Sequence, residues 1–380
     1  MNSKYNRGDI IISIAVMIQP LLIMVQHAMI MLFNMNADTT TIYRVVLTAI
    51  PMVPAIIIGF RRKSMLFFFS YFVALSLMGF TMAFFPDNTP FVISQGTRFL
   101  LPVVLPSLLC LLCVKNVIIV EKVIYIVSWI IAVLVLVFLI SLITGFAAFV
   151  DYNMSFSYAC LFPMVVLFSR RHIFSVTASL MIFVMVLMVG ARGPALYFII
   201  FVFFDLLQHR SRLTPLLIIA IVAFAFFLPE ITNWMSSIGI NSRTINMYQD
   251  DTLASDSGRS SIRSFFINLL IKSPFIGIGL FGDRIYGDYV YCHNLFLEIL
   301  LNFGLPLGGI IIISIFLYVV RTYRHSSVQN RNKIIAYICA LVLPFMTSGS
   351  YLIGGEFATF IGLTYLISNE NKKSVHYSYS

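Results

Sequence analysis

Apolar residues in this chain fall into long runs separated by short polar breaks. Runs of about the length a spanning helix needs occupy 10–33, 42–60, 65–85, 98–114, 123–145, 154–168, 173–190, 194–207, 213–228, 304–320, 334–349 and 352–368. The pattern predicts an all-α polytopic membrane protein with about 12 transmembrane helices. Runs 154–168 and 194–207 are short for a hydrocarbon core of ~30 Å. The first run, Ile10 to Phe33, lacks a small-residue cleavage site at its end and is expected to be a span, not a signal peptide.

One connection breaks the rhythm. Residues 229–292 are far longer and more polar than any other link, and they hold Glu230, Asp250, Asp251, Asp256, Arg259, Arg263, Arg284 and Asp288. Loops of this length usually carry function. Inside it, Ile262, Phe265, Phe266, Leu269 and Leu270 form one apolar stripe at helical spacing. The stripe predicts an amphipathic helix over 257–272 that lies along the membrane surface or caps the bundle. Asp256 or Ser257 is its expected N-cap, and Ser273-Pro274 stops it. The chain therefore divides into a nine-span region, 1–228, a large loop, 229–292, and a C-terminal transmembrane region, 293–380, within one integrated domain.

Composition agrees with the pattern: 60% of residues are apolar, only 11% are charged, and 36 are Phe. So few charges could not solvate a soluble exterior. The net charge of +10 raises the question of nucleic acid, but its distribution answers otherwise. Basic residues cluster at Lys4/Arg7, Arg61–Lys63, Lys115/Lys122, Arg170–Arg171, Arg210/Arg212, Arg321–Lys333 and Lys372–Lys373. With twelve spans every cluster falls on the side of the N-terminus. The positive-inside rule then predicts cytoplasmic termini and a large loop on the outer face of the membrane. The opposite short loops carry Asp38, Asp87 and Asp151, with Arg44, Arg98 and Arg192 near their membrane edges. Chemistry in the large loop would thus proceed away from ATP.

Cofactor chemistry finds no support. Cys110 and Cys113 have the spacing of a metal or redox pair but sit inside an apolar run without a second pair, and are expected to be core residues. There is no Walker loop, no Cys/His set, no Gly-x-Ser-x-Gly elbow and no Asp-x-Asp pair. No metal and no cofactor are expected.

Candidate chemistry gathers around three places. Arg259 falls in the first turn of the amphipathic helix, where the dipole disfavours a cation. Two readings stand: a diphosphate clamp built with free backbone N–H groups, or pairing with Asp250, Asp251 or Asp256. Arg263 follows one turn later. Arg192 lies in Gly190-Ala-Arg-Gly-Pro194, a tight turn between spans with Pro194 suited to the first helical position. It either snorkels to lipid phosphate or binds an anion. His293 lies where the loop re-enters an apolar helix. A helix N-terminus favours its neutral form, which a general base requires, although a structural histidine is also open. Asn294, Glu298 and Asn302 recur every four residues as a polar stripe expected to face the interior or a watery cavity. Tyr286, Tyr289 and Tyr291 offer faces for stacking on sugars or belong to an interfacial belt.

Taken in order, these pieces resemble the O-antigen ligase and O-antigen polymerase superfamily. The resemblance rests on Gly190-Ala-Arg192-Gly, Ser257-Gly-Arg259, Lys272-Ser-Pro-Phe-Ile-Gly277-Ile-Gly279, His293-Asn-Leu-Phe-Leu-Glu298 and Asn302-Phe-Gly304-Leu-Pro-Leu-Gly308, spread over 190–310. Residues before 170 match only in being hydrophobic. Leu305-Pro306 departs from the family's usual small or β-branched pair and is expected to kink the tenth span. The resemblance implies metal-independent glycosyl transfer from an undecaprenyl-diphosphate donor on the periplasmic face. Arg192, Arg259 and Arg263 would then hold the diphosphate, and His293 would take the acceptor proton. Tyr289, Tyr291, Asn294 and Glu298 would support them or line the sugar site.

The leading expectation is a polymerase joining lipid-linked repeat units of an O-antigen or related surface polysaccharide, the glycan lipid serving as donor and acceptor. A chain-length regulator would be a partner, membrane lipids the setting, and nucleic acid no partner. A ligase delivering glycan to lipid A core shares the same motifs. A flippase of lipid-linked oligosaccharide is the reading from another class. Transporters usually show internal repeats and scattered intramembrane charges, whereas here the polar residues concentrate in one loop.

Overall fold

The computed structural model describes residues 6–33, 35–144, 153–189, 191–208, 230, 258–286 and 291–378. Within them the chain is helical and has no strand. Six helices are long and apolar enough to cross a membrane: Arg7–Ile30, Ile42–Arg62, Ser64–Phe84, Pro86–Leu112, Val117–Leu142 and Leu295–Arg324. Each coincides with one of the twelve expected spans. Met154–Ser169 and Ile173–Val189 are shorter apolar helices, and Arg192–Gln208, Val328–Leu341 and Glu356–Ser378 are further helices. The expected span 213–228 lies outside the described residues.

Met154–Ser169 is short because it does not face lipid. Its residues from Phe156 to Phe168 are almost all buried, on every side of the helix, the mark of a helix at the centre of a bundle. Helices Arg7–Phe33, Val117–Ile143, Ile173–Val189, Arg192–Gln208 and Val328–Leu341 pack around it. By contrast Ile42–Arg62 and Ser64–Phe84 present Phe68, Phe69, Phe72 and many other large apolar side chains outward. In water such a surface would aggregate; in a bilayer it is the solvent-facing side.

Charged residues tie one end of the bundle. Asp9 is fully buried and accepts from Arg62 and from the backbone N–H of Asn116 at 3.0 Å. Arg62 donates further to the Cys113 carbonyl at 3.0 Å, and Lys63 to that of Leu112 at 2.7 Å. Lys333 pairs with Glu121, and Arg171 pairs with Asp205, which also accepts from Asn332 at 2.6 Å. These pairings join basic clusters that same-side placement requires to meet.

At the other functional landmark, two glycines interlock the long loop with the late helix. Ile278 donates its N–H to the Leu301 carbonyl, and Leu305 donates to that of Pro274, both at 2.7 Å. The crossing demands Gly277 and Gly304, whose φ angles are +75° and +74°. A Cβ on Gly277 would collide with the Leu301 carbonyl oxygen, and one on Gly304 with that of Phe275. Gly304 is therefore where the Leu295–Arg324 helix breaks, two residues before the proline that sequence singled out. The segment is further pinned by Asn88, whose amide donates to the carbonyls of Ile278 at 2.7 Å and Leu280 at 3.2 Å.

Substituting Gly277→Ala or Gly304→Ala is expected to destabilise the protein by more than the ~1–2 kcal/mol cost of left-handed backbone alone, because backbone atoms must also move. Gly309→Ala, where an added Cβ meets nothing, is the matched control. Thermal unfolding in detergent, followed by gel filtration, measures the difference; equal melting of all three would contradict the interlock.

Candidate active site

The expected amphipathic helix is present as Arg259–Lys272. Its apolar stripe, Ile262, Phe265, Phe266, Leu269 and Leu270, packs on Cys292, Leu297, Leu301, Ile278 and Tyr286. The helix therefore caps the protein rather than lying free on the membrane. Its N-cap is Gly258, in left-handed conformation and without a side-chain cap; Asp256 and Ser257 lie outside the described residues.

Behind this helix a charged group is fully enclosed. Arg284, only 4% exposed, pairs with Asp283 at 2.5 Å and with Glu298 at 3.3 Å. Its Nε donates to the side-chain amide oxygen of Gln95, 3.4 Å away. Glu298 also accepts from the Ser350 hydroxyl and from the Tyr351 N–H at 3.4 Å, while Asp283 accepts from the Cys292 N–H at 3.2 Å. Gln95, Asp283 and Glu298 thus meet on one guanidinium, and the two carboxylates are held in turn by Ser350, Tyr351 and Cys292.

On top of it stands a short column of rings. The Arg284 guanidinium lies 5.3 Å from the centre of the Tyr291 ring, and the Tyr291 and His293 rings are 4.2 Å apart. Asn294 caps the next helix by accepting from the Leu297 N–H at 3.0 Å, which fixes the turn that presents His293. The backbone of His293 is itself left-handed, φ +53°, an uncommon state for a residue with a side chain and one concentrated at functional sites. Its Nδ1 is buried and unpartnered.

Three guanidiniums act on that imidazole. Burial and then the charges of Arg259, Arg263 and Arg284 lower the His293 pKa to about 4, while a backbone hydrogen bond with Thr347 works the other way. The ring is neutral at pH 7, as expected, but the arginines and burial do most of what the helix terminus was expected to do. Arg263 donates to the Met346 carbonyl at 2.8 Å, and neither it nor Arg259 forms an ion pair with a carboxylate among the described residues. Asp250 and Asp251, offered as partners of Arg259, lie outside them.

Arg192 begins the Arg192–Gln208 helix, so Pro194 sits third, not first. A Cβ on Gly193 would come within 2.7 Å of the Tyr158 hydroxyl, and that hydroxyl is 3.5 Å from the Thr347 side chain. Tyr197, one turn further, also bonds Thr347. Arg192 therefore emerges beside the same Thr347 turn that His293 contacts. Tyr291 points its hydroxyl at Ser348, 3.4 Å away, and Tyr289 lies outside the described residues. Glu298 and Asn302 are buried as the polar stripe predicts, Glu298 against Arg284 and Asn302 donating to the Tyr351 hydroxyl at 2.8 Å. Asn294 leaves the stripe to serve as the cap.

Sequence reasoning missed Arg284, Asp283, Gln95 and the 347–351 turn as parts of the site. One signal existed: Glu298 on an apolar helix demands a cation, and Arg284 is the nearest Lys or Arg to it in the sequence. Nothing in the sequence marks Gln95 or Thr347.

Arg284→Met leaves Asp283 and Glu298 buried without a cation and is expected to cost about 3–5 kcal/mol. Arg284→Lys keeps the charge but loses the planar fork and should fall between. Melting temperatures in detergent test this order, and an unperturbed Arg284→Met would refute it.

No curated protein and no solved structure matches the chain. A protein-family comparison does, over residues 176–313, a stretch that holds Arg192, Arg259, Arg263, Arg284, His293, Glu298 and both interlocking glycines. That family is described as O-antigen ligase, whose members are glycosyltransferase-like membrane enzymes acting on lipid-linked glycans. The match, over the stretch that builds the site, supports the place of this chain in the O-antigen ligase/polymerase superfamily.

Proposed function

We propose that the protein polymerises undecaprenyl-diphosphate-linked oligosaccharide repeat units into an O-antigen or related surface polysaccharide, on the periplasmic face of the inner membrane. The observation that carries this reading is the neutral, partly buried His293 set among Arg259, Arg263 and Arg284. A base beside Arg259 and Arg263, which no carboxylate among the described residues pairs, suits a reaction that removes a proton from one substrate while negative charge departs with another.

In that reaction the acceptor hydroxyl attacks the anomeric carbon of the donor glycan. The new C–O bond forms as the bond to the diphosphate breaks. The electron pair leaves with the diphosphate, held by Arg259 and Arg263 with Arg192 beside them, and the acceptor proton passes to His293. The leaving group is already activated, so the work left to the protein is positioning, anion binding and proton transfer. Tyr291 and the Thr347 turn hold the base in place. The family description favours a second reading, ligation to lipid A core, which needs the same donor chemistry and differs in the acceptor.

Purified protein given lipid-linked repeat unit is expected to yield a ladder of lengthening glycan on a gel. His293→Ala should lower the rate ~10²–10⁴-fold without loss of folding. Transfer only when lipid A core is supplied would move the assignment to ligase. Silence in both assays, with glycan lipid crossing liposome membranes instead, would sink the transferase reading.

The pH profile offers a separate check. Since the neutral imidazole is the active form, kcat/KM should hold at pH 7 and fall as pH drops through about 4. Arg263→Gln removes one repelling charge and should move that limb upward, toward the ordinary 6.5. Because a bound diphosphate offsets the guanidiniums, the limb in kcat should lie above the limb in kcat/KM. Limbs indifferent to Arg263 would contradict the role of His293.

A further inference from the structure

A cavity of about 350 Å³ opens among the early helices and the 353–359 stretch, within the ~300–1,000 Å³ range of ligand pockets. Its walls are largely apolar, with Val16, Met17, Ile23, Met52 and Ile56 among them, and its polar groups include Arg44 and Arg98. Arg98 sits three residues beyond Gln95, which faces Arg284. Ile353 to Glu356, which also line the cavity, come one residue after the Ser350–Tyr351 pair that holds Glu298. The cavity and the candidate site thus draw on the same two stretches of chain, 95–98 and 350–356.

The charges of this cavity are unbalanced. Neither Arg44 nor Arg98 forms an ion pair among the described residues, and Glu356, the acidic residue lining the space, pairs with neither. The Arg98 guanidinium lies over the Phe99 ring, 5.2 Å from its centre. The two guanidiniums are close enough to feel one another's charge, so an anion between them would replace repulsion with attraction. Unpaired arginines at the head of an apolar cleft, on helices of membrane-spanning length, call for a ligand with an anionic head and a hydrocarbon tail.

We infer that this cavity binds the second lipid-linked substrate, a polyprenyl diphosphate whose head lies between Arg44 and Arg98 and whose isoprenoid follows the apolar wall. The inference rests on the polymerase reading, in which two molecules of one lipid class must be held side by side. A diphosphate, with two anionic groups, suits a pair of guanidiniums better than the single phosphodiester of a bulk phospholipid does.

The test is the binding of glycan-free undecaprenyl diphosphate to the full chain in detergent, followed by native mass spectrometry. Wild type should bind two molecules. Arg44→Gln/Arg98→Gln should weaken one of them roughly tenfold or more, while Arg259→Gln/Arg263→Gln should weaken the other. Val53→Trp, on the cavity wall and already 55% exposed, should match the first effect by filling the space, with no charge removed. One bound molecule, lost only in Arg259→Gln/Arg263→Gln, would overturn the second site and leave the proposed function standing. Displacement of the Arg44/Arg98 molecule by an equal concentration of phosphatidylglycerol would also overturn it, as a site for bulk lipid. Loss of both molecules' binding in the wild type, together with an absent ladder, would point to failure of the polymerase reading itself.

Discussion

Arg284 is the constraint on which the site depends. A guanidinium at 4% exposure has no water to solvate it, so its charge must be met by the protein. Asp283 meets it from the same loop, Glu298 from the late helix, and Gln95 from a helix far earlier in the chain. Such a buried network adds little net stability, because desolvation offsets most of the Coulomb attraction. What it supplies is register, since a slip of the loop against the helix would strand a charge. Tyr291 stands on the guanidinium and His293 on Tyr291, so the position of the base follows from the network beneath it.

The glycine interlock sets the same geometry through the backbone. Breaking the late helix at Gly304 separates a short segment, which presents His293 and Glu298, from the long segment that follows. Gly277 lets the loop cross at the break, and Asn88 anchors the crossing to an early helix. Hydrogen bonds made across the crossing satisfy carbonyls that a broken helix would otherwise leave bare, which a membrane protein tolerates only where protein covers them. Fold and site are in this sense one construction: the loop that crosses at the break also carries Arg259, Arg263 and Arg284.

How much of this the sequence made legible depended on the range of the interaction. Local periodicity was enough for the Arg259–Lys272 helix and its stripe, since Phe266 and Leu270 lie where a 3.6-residue repeat puts them. Hydropathy was enough for the six long apolar helices. The role of Met154–Ser169 was hidden because a helix buried by protein and one bathed in lipid have the same apolar composition. Arg284 was hidden for a related reason: a charged pair in a polar loop looks solvated until the fold encloses it. Gln95 and Thr347 join the site only through contacts made across much of the chain, and no local pattern announces those.

The charge arrangement around His293 ties its basicity to ligand binding. Arg284 is compensated by two carboxylates, so its influence on the imidazole is partly cancelled already. Arg259 and Arg263 have no such partners among the described residues, and after burial they do most to hold the free imidazole below its ordinary pKa. On the proposed reading, a diphosphate seated between them cancels the repulsion that weakened the base. The donor would then strengthen the group that must accept the proton, without any movement of the chain. An empty site would hold a weaker base, less able to draw a proton from water or from an acceptor that arrived alone. The same two arginines would thereby act twice, on the leaving group through direct charge and on the acceptor through His293.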